Sequence, residues 1–194
     1  MAKKGLRYVA FGKWASDGTY TANEGRYLSP AASLSGTINA SDVKDYGDDR
    51  VVETDNSVTG GTLAVELNND DDEMYTYLLG AKTGSTGDTE GAIIGNVDDV
   101  APYLGVGCVG KSGSRWVAKI YLKVQFSEPT DENATKEENT TFNHISLEGD
   151  ILTQENGDWR WRKSFETFAA AKSWVDGILK VTESGETGET GDTQ

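Results

Sequence analysis

The chain has little with which to build most kinds of active site. Its 194 residues include one cysteine, one histidine and three prolines. A lone cysteine, Cys108, excludes an internal disulfide and fits folding in a reducing cytoplasm. A lone histidine, His144, excludes a histidine-based zinc site, which draws on several such ligands. No stretch approaches the roughly 20 apolar residues of a membrane span. The opening Met1, Ala2, Lys3 and Lys4 have no apolar run behind them, so no signal peptide is read there. Positive charge is scarce too: 18 Lys and Arg stand against 32 Asp and Glu, a formal net charge of −14. A surface of that sign repels phosphate, which argues against duplex binding by broad electrostatics.

What the chain does have is glycine, 23 residues of it, and repeated stretches of strand-like alternation. Its length suits one domain with a full core. The clearest stretch is 115–126, where Trp116, Ala118, Ile120, Leu122, Val124 and Phe126 take every even position. A period of two predicts a long strand with one buried face. Ser112, Gly113 and Ser114 read as a hairpin turn leading into it from an extended segment at 103–111. Further strands are expected at 6–14, 34–40, 51–54, 63–67, 142–151 and 159–165, with a turn at Ser16, Asp17 and Gly18.

Two helices are expected. The first covers 71–79, with Asn69 or Asp70 as N-cap, acids in its first turn and Gly80 at C′. The second covers 168–179, where Phe168, Ala171, Val175, Ile178 and Leu179 form an apolar stripe. Segments 83–91 and 128–140 read as loops. The acidic segment 181–194 can bury nothing and is expected to be disordered beside a single domain at 1–180. The expected class is α+β, mainly β: two packed antiparallel sheets or a partly open β-barrel, with one short helix and one covering helix near the C-terminus.

Chemistry-bearing motifs are few. Gly105, Gly110, Lys111 and Ser112 satisfy the P-loop pattern G-x-x-x-x-G-K-[ST], and Gly105, Gly107 and Gly110 satisfy G-x-G-x-x-G. Both patterns hold phosphate at a helix N-terminus, and here a strand pattern follows. A glycine-rich, closely packed strand is the simpler reading. Cys108 sits among small apolar neighbours, as a buried thiol does. The acids at 70–73 lack the spacing of a calcium loop, and helix capping accounts for them. Trp14, Trp116, Trp159, Trp161 and Trp174 could line a sugar-binding face, but Trp116 and Trp174 fit core stripes. No catalytic residue, metal or cofactor is assigned, and an enzyme is not expected. Segment 41–60 is rich in Asp and lies between two apolar strands. It reads as a solvated hairpin tip or as a projecting arm that orders against another subunit.

Taken in order, five blocks resemble the major tail tube proteins of long-tailed, siphovirus-type phages of Gram-positive bacteria. They are Gly5 to Tyr8, Asp45 to Asp49, Tyr77 to Gly80, Pro102 to Gly107, and Phe142 to Gly149 continuing through the helix at 168–179. The resemblance spans about residues 5–180. The acidic tail is not a feature of that family, and the chain is too short for the immunoglobulin-like domain that larger relatives append. The resemblance implies a structural virion protein that self-assembles into stacked hexameric rings. Duplex DNA passes through their lumen, without specific binding, during ejection. The implied partners are other copies of the chain and other tail proteins: initiator complex, tape measure and terminator. The implied location is the virion tail, after assembly in the host cytoplasm and with no membrane involved. On this reading Asp45, Tyr46, Asp48, Asp49 and Arg50 of the arm are candidate subunit-interface residues. Two alternatives belong to other classes: a monomeric β-sandwich that binds carbohydrate through tryptophans, and a P-loop nucleotide-binding enzyme using Lys111.

Overall fold

The alternating stretch is a strand, β9 (Arg115–Phe126), and the rest of the fold is arranged around it. In the computed structural model, residues 3–15, 18–47, 50–55, 57–68, 71–129 and 144–182 are described. The strands before β9 are β1 (Lys3–Lys13), β2 (Ala31–Ala40), β3 (Val43–Gly47), β4 (Arg50–Asp55), β5 (Val58–Leu67), β6 (Lys82–Thr83), β7 (Ile93–Ile94) and β8 (Leu104–Ser112). A short helix α1 (Asp72–Met74) follows β5; β10 (Ile145–Leu152), β11 (Arg160–Phe165) and helix α2 (Phe168–Leu179) follow β9. The main sheet is antiparallel in the order β1-β8-β9-β10-β5-β2, with β11 added on β9. The class is therefore α+β, mainly β.

β9 has one partner on one edge and two on the other. Gly149 to Leu152 of β10 pair with Phe126 to Lys123, and Arg160 to Phe165 of β11 pair with Tyr121 to Trp116. At the changeover the Leu122 N–H donates to the Trp159 carbonyl (3.0 Å). On the β8 side the register passes from Leu104↔Val124 to Val106↔Tyr121, so β9 carries one extra residue there. That is a β-bulge at Leu122 and Lys123, and a bulge reverses which face successive side chains take. Ala118, Ile120 and Leu122 enter a core beneath α2, whereas Tyr121, Val124 and Phe126 enter the main core on the opposite face. The expectation of one buried face on β9 is thus corrected. The strand is covered on both sides, and its even positions change sides at the bulge. The Tyr20 hydroxyl donates to the Leu122 carbonyl (2.8 Å) and satisfies a backbone group that the bulge takes out of the ladder.

The main core forms because the sheet curls over itself. Val9 and Phe11 of β1, Leu63, Val65 and Leu67 of β5, and Leu147 and Ile151 of β10 meet in it. β2 approaches so closely that a Cβ on Gly36 would lie 2.6 Å from the Tyr121 Oη. β1 and β2 pack together but share no ladder among the described residues, so the barrel stays partly open. In the second core Ala171, Val175 and Leu179 of α2 are fully buried, with Phe168 and Ile178 partly so, matching the expected stripe. Thr167 caps this helix by accepting from the Ala170 N–H (3.3 Å).

The first helix departs from expectation. Asp71 occupies the N-cap position with extended backbone and no side-chain cap bond, while Asn69 and Asp70 lie outside the described residues. After Met74 the chain widens into a π-helical turn, Tyr75–Leu79, which Gly80 ends in the left-handed region (φ 77°) as a C′ glycine should. The turn buries Tyr77, Leu78 and Leu79 in succession, more of its circumference than one stripe at a 3.6-residue period covers. β3 was not expected, and β5 begins before its expected start at residue 63. Ser16, Asp17, residues 142–143, most of segment 128–140 and the tail from 183 onward lie outside the described residues.

Two predictions follow from this packing. A Cβ on Gly107 would lie 2.4 Å from Val175 Cγ1, whereas nothing lies within 4 Å of one on Gly177. In urea unfolding, Gly107→Ala should lose about 1–3 kcal/mol by overpacking, and Gly177→Ala should gain about 0.5–1 kcal/mol from helix propensity. The phenols of Tyr20, Tyr77 and Tyr121 are all held above their ordinary pKa, chiefly by burial. For Tyr121 the neighbouring Cys108 adds to the rise, and Arg160 opposes it. The folded state keeps protons that the unfolded chain releases near pH 10, so stability is full below that pH and falls above it. Unfolding free energies at pH 8.5 and 11 check this, and Tyr77→Phe should flatten the decline.

Candidate functional site

Two surfaces stand out from the packed body. The first is the β3–β4 hairpin. β2 and β5 pair as far as Asn39↔Gly60 and Ala40↔Val58, and Ser41 N–H donates to the Ser57 carbonyl (2.8 Å). Beyond that point the chain runs out and back as β3 and β4, with Asp45↔Glu53, Tyr46↔Val51 and Gly47↔Arg50 in register. No third strand joins this ladder among the described residues. A lone two-stranded hairpin is marginal in water. Of the five candidate interface residues, Asp45 and Tyr46 lie on β3 and Arg50 opens β4. Asp48 and Asp49 lie outside the described residues.

The second surface was missed in the sequence. Between β7 and β8, Val97 is 97% exposed and Val100 76%, with Ile94 and Tyr103 also exposed on either side. The turn that presents them is well fastened. Asn96 N–H donates to Asp99 Oδ2 (2.8 Å), Asp98 N–H to Asn96 Oδ1 (3.0 Å) and Asp99 N–H to the Asn96 carbonyl (2.9 Å). The Lys82 ammonium stands 3.5 Å from Asp99 Oδ1. Apolar side chains held out on a fixed turn are a candidate contact surface. Its signal was the pair of valines set among Asn96, Asp98 and Asp99, too short a pattern to separate from an ordinary loop.

The remaining chemistry-bearing residues do not converge. The glycines of the P-loop pattern lie inside β8, with a turn at Gly113 and Ser114 and then β9 after them, so no helix N-terminus faces a phosphate there. Gly105 and Gly107 are small because Tyr20 and α2 pack against them. The Lys111 ammonium lies 5.6 Å from the centroid of the Trp116 ring. Cys108 is buried, as expected, in the main core, and His144 is exposed just before β10. No group of three His, Cys, Asp or Glu side chains among the described residues could hold a metal ion. Of the tryptophans, Trp161 is the most exposed, at 39%; Trp116 packs on Phe168 (5.1 Å) and Trp174 on Phe165 (5.7 Å). Among the described residues, no helix is long and apolar enough to cross a membrane. No family model matches the chain, and no curated protein matches it in sequence.

The two valines give a test of the second surface. Val97→Asp with Val100→Asp should leave the free energy of urea unfolding within about 0.5 kcal/mol of the parent, since neither side chain is buried. If this turn is a contact surface, the same variant should abolish any concentration-dependent self-association seen in sedimentation velocity.

Proposed function

We propose that the chain is a structural subunit that assembles with copies of itself into stacked, hexameric rings. These form a phage tail tube through which duplex DNA is ejected. The observation that carries this reading is the β3–β4 hairpin, which continues from the β2–β5 ladder and is joined by no third strand among the described residues. Pairing with a neighbouring subunit supplies what a lone hairpin lacks. Edges of β2 and β11 that pair with no further strand among the described residues support the same conclusion, because an unpaired strand edge is an aggregation hazard unless something covers it. A ring closes such edges in its plane, and a contact that does not close along the axis extends the rings into a tube. Acidic surface facing the lumen would repel phosphate and let DNA slide without specific binding. The resemblance of the five sequence blocks to tail tube proteins gives the reading its particular form, with the initiator complex, tape measure and terminator as further partners. The role needs no catalytic residue or cofactor.

Negative-stain electron microscopy of the concentrated protein tests it. Rings or hollow tubes are expected from the parent chain. A variant with the hairpin tip deleted between Lys44 and Thr54 should remain a folded monomer and form neither. Normal tubes from that variant would exclude the hairpin as the assembling arm.

A further inference from the structure

Asn156 is followed by glycine, and no other asparagine of the chain is. The pair lies on the turn that joins β10 to β11, with Asn156, Gly157 and Asp158 all exposed. The Gly157 N–H donates to the Gln154 carbonyl (2.9 Å) and the Gln154 N–H to the Asp158 carbonyl (2.8 Å). Gly157 itself takes the left-handed region (φ 83°). Those are the marks of a three-residue hairpin loop. The Asn156 side chain is held at both ends by one neighbour. Its Oδ1 accepts from the Asp158 N–H (2.9 Å), and its Nδ2 donates to Asp158 Oδ2 (3.2 Å). Nothing lies within 4 Å of a Cβ placed on Gly157, so that residue is open to solvent.

We propose that Asn156 is a modification site, converted without an enzyme to aspartate and isoaspartate at a rate set by the opening of its own turn. A glycine nitrogen has no side chain beside it to shield it, and the amide carbon of a preceding asparagine reaches it through a five-membered ring. Hydroxide removes the Gly157 amide proton, and the nitrogen forms a bond to Asn156 Cγ. The Cγ–Nδ2 bond breaks, and Nδ2 takes a proton from water and leaves as ammonia. Water then opens the resulting succinimide. Cleavage between Cγ and the Gly157 nitrogen gives aspartate. Cleavage between the Asn156 main-chain carbonyl carbon and that nitrogen gives isoaspartate.

The closed turn holds both reacting groups back. The attacking nitrogen has its proton on the Gln154 carbonyl, and the amide under attack is fixed on Asp158. The reaction therefore runs through the locally opened turn. Once it has run, the closed turn cannot re-form as it was. Either product sets a carboxylate where the Nδ2 donor faced Asp158 Oδ2, and like charges repel there. The isoaspartyl product also puts one more carbon into the main chain of a loop closed by two hydrogen bonds. Asp158 Oδ2 accepts from Trp161 Nε1 as well (3.4 Å), so the change reaches β11. An aged chain thus differs from a fresh one beside the strand whose outer edge pairs with no further strand among the described residues. The site does not depend on whether the chain assembles.

Peptide mass mapping of the full chain, sampled over weeks in mildly alkaline buffer, tests the proposal. The peptide holding Asn156 should gain the mass of a deamidation and separate into two products, and its rate should rise with pH. Asn156→Gln should abolish the gain. The part played by the turn has two independent readings. In urea above the unfolding midpoint the rate should be at least about tenfold that of the folded chain, because no opening step remains. In the folded chain Asp158→Ala should raise the rate about three- to tenfold, the shift expected on losing one or two hydrogen bonds. No conversion at residue 156 of the folded chain would overturn the proposal. Equal rates in the folded and unfolded chains would overturn it too, as would an Asp158→Ala rate no faster than the parent's.

Discussion

The bulge at Leu122 and Lys123 is the constraint on which this structure depends. One extra residue in β9 lets a single strand serve two cores, because side chains before it face α2 and alternate side chains after it face the curled interior. The same point divides its outer edge between β10 and β11. A bulge leaves a backbone group without its ladder partner, and here the Tyr20 hydroxyl reaches the Leu122 carbonyl from a loop far away in sequence. Removing that phenol would leave a buried acceptor unsatisfied at the place where both cores meet. The two halves of the sheet and the helix are therefore mechanically linked through a few residues of one strand.

Glycine sets how closely the layers approach that strand. Gly36 brings β2 over Tyr121, and Gly107 brings α2 down on β8. In each case a methyl group would overlap an atom that is itself buried and packed. The glycines that mimic a nucleotide-binding motif thus owe their spacing to packing. The body built in this way sends one hairpin and one valine-bearing turn outward. The packed cores do not account for those features.

Much of this was legible in the sequence. The period of two in 115–126 set the bounds of β9, and the stripe from Phe168 to Leu179 set those of α2. Gly80 marked the end of the first helix because only a left-handed residue closes that turn cheaply. Local patterns report on what adjacent residues do together, and these elements are local. The π-helical turn was not legible, because the pressure to bury Tyr77, Leu78 and Leu79 at once comes from the core around them. The valine turn was hidden for a similar reason: exposure is a property of what fails to cover a residue.

The sequence by itself determined the class, mainly β with a covering helix, and the lack of a second cysteine for an internal disulfide and of further histidines for a histidine-based zinc site. Periodicity and composition carry that information along the chain. Only the tertiary structure decided which face each side chain of β9 takes, since the bulge depends on register with β8, and register is a relation between distant segments. Only the tertiary structure brought Lys119 beside Arg162 and Arg160, residues some forty positions apart that a shared ladder makes neighbours.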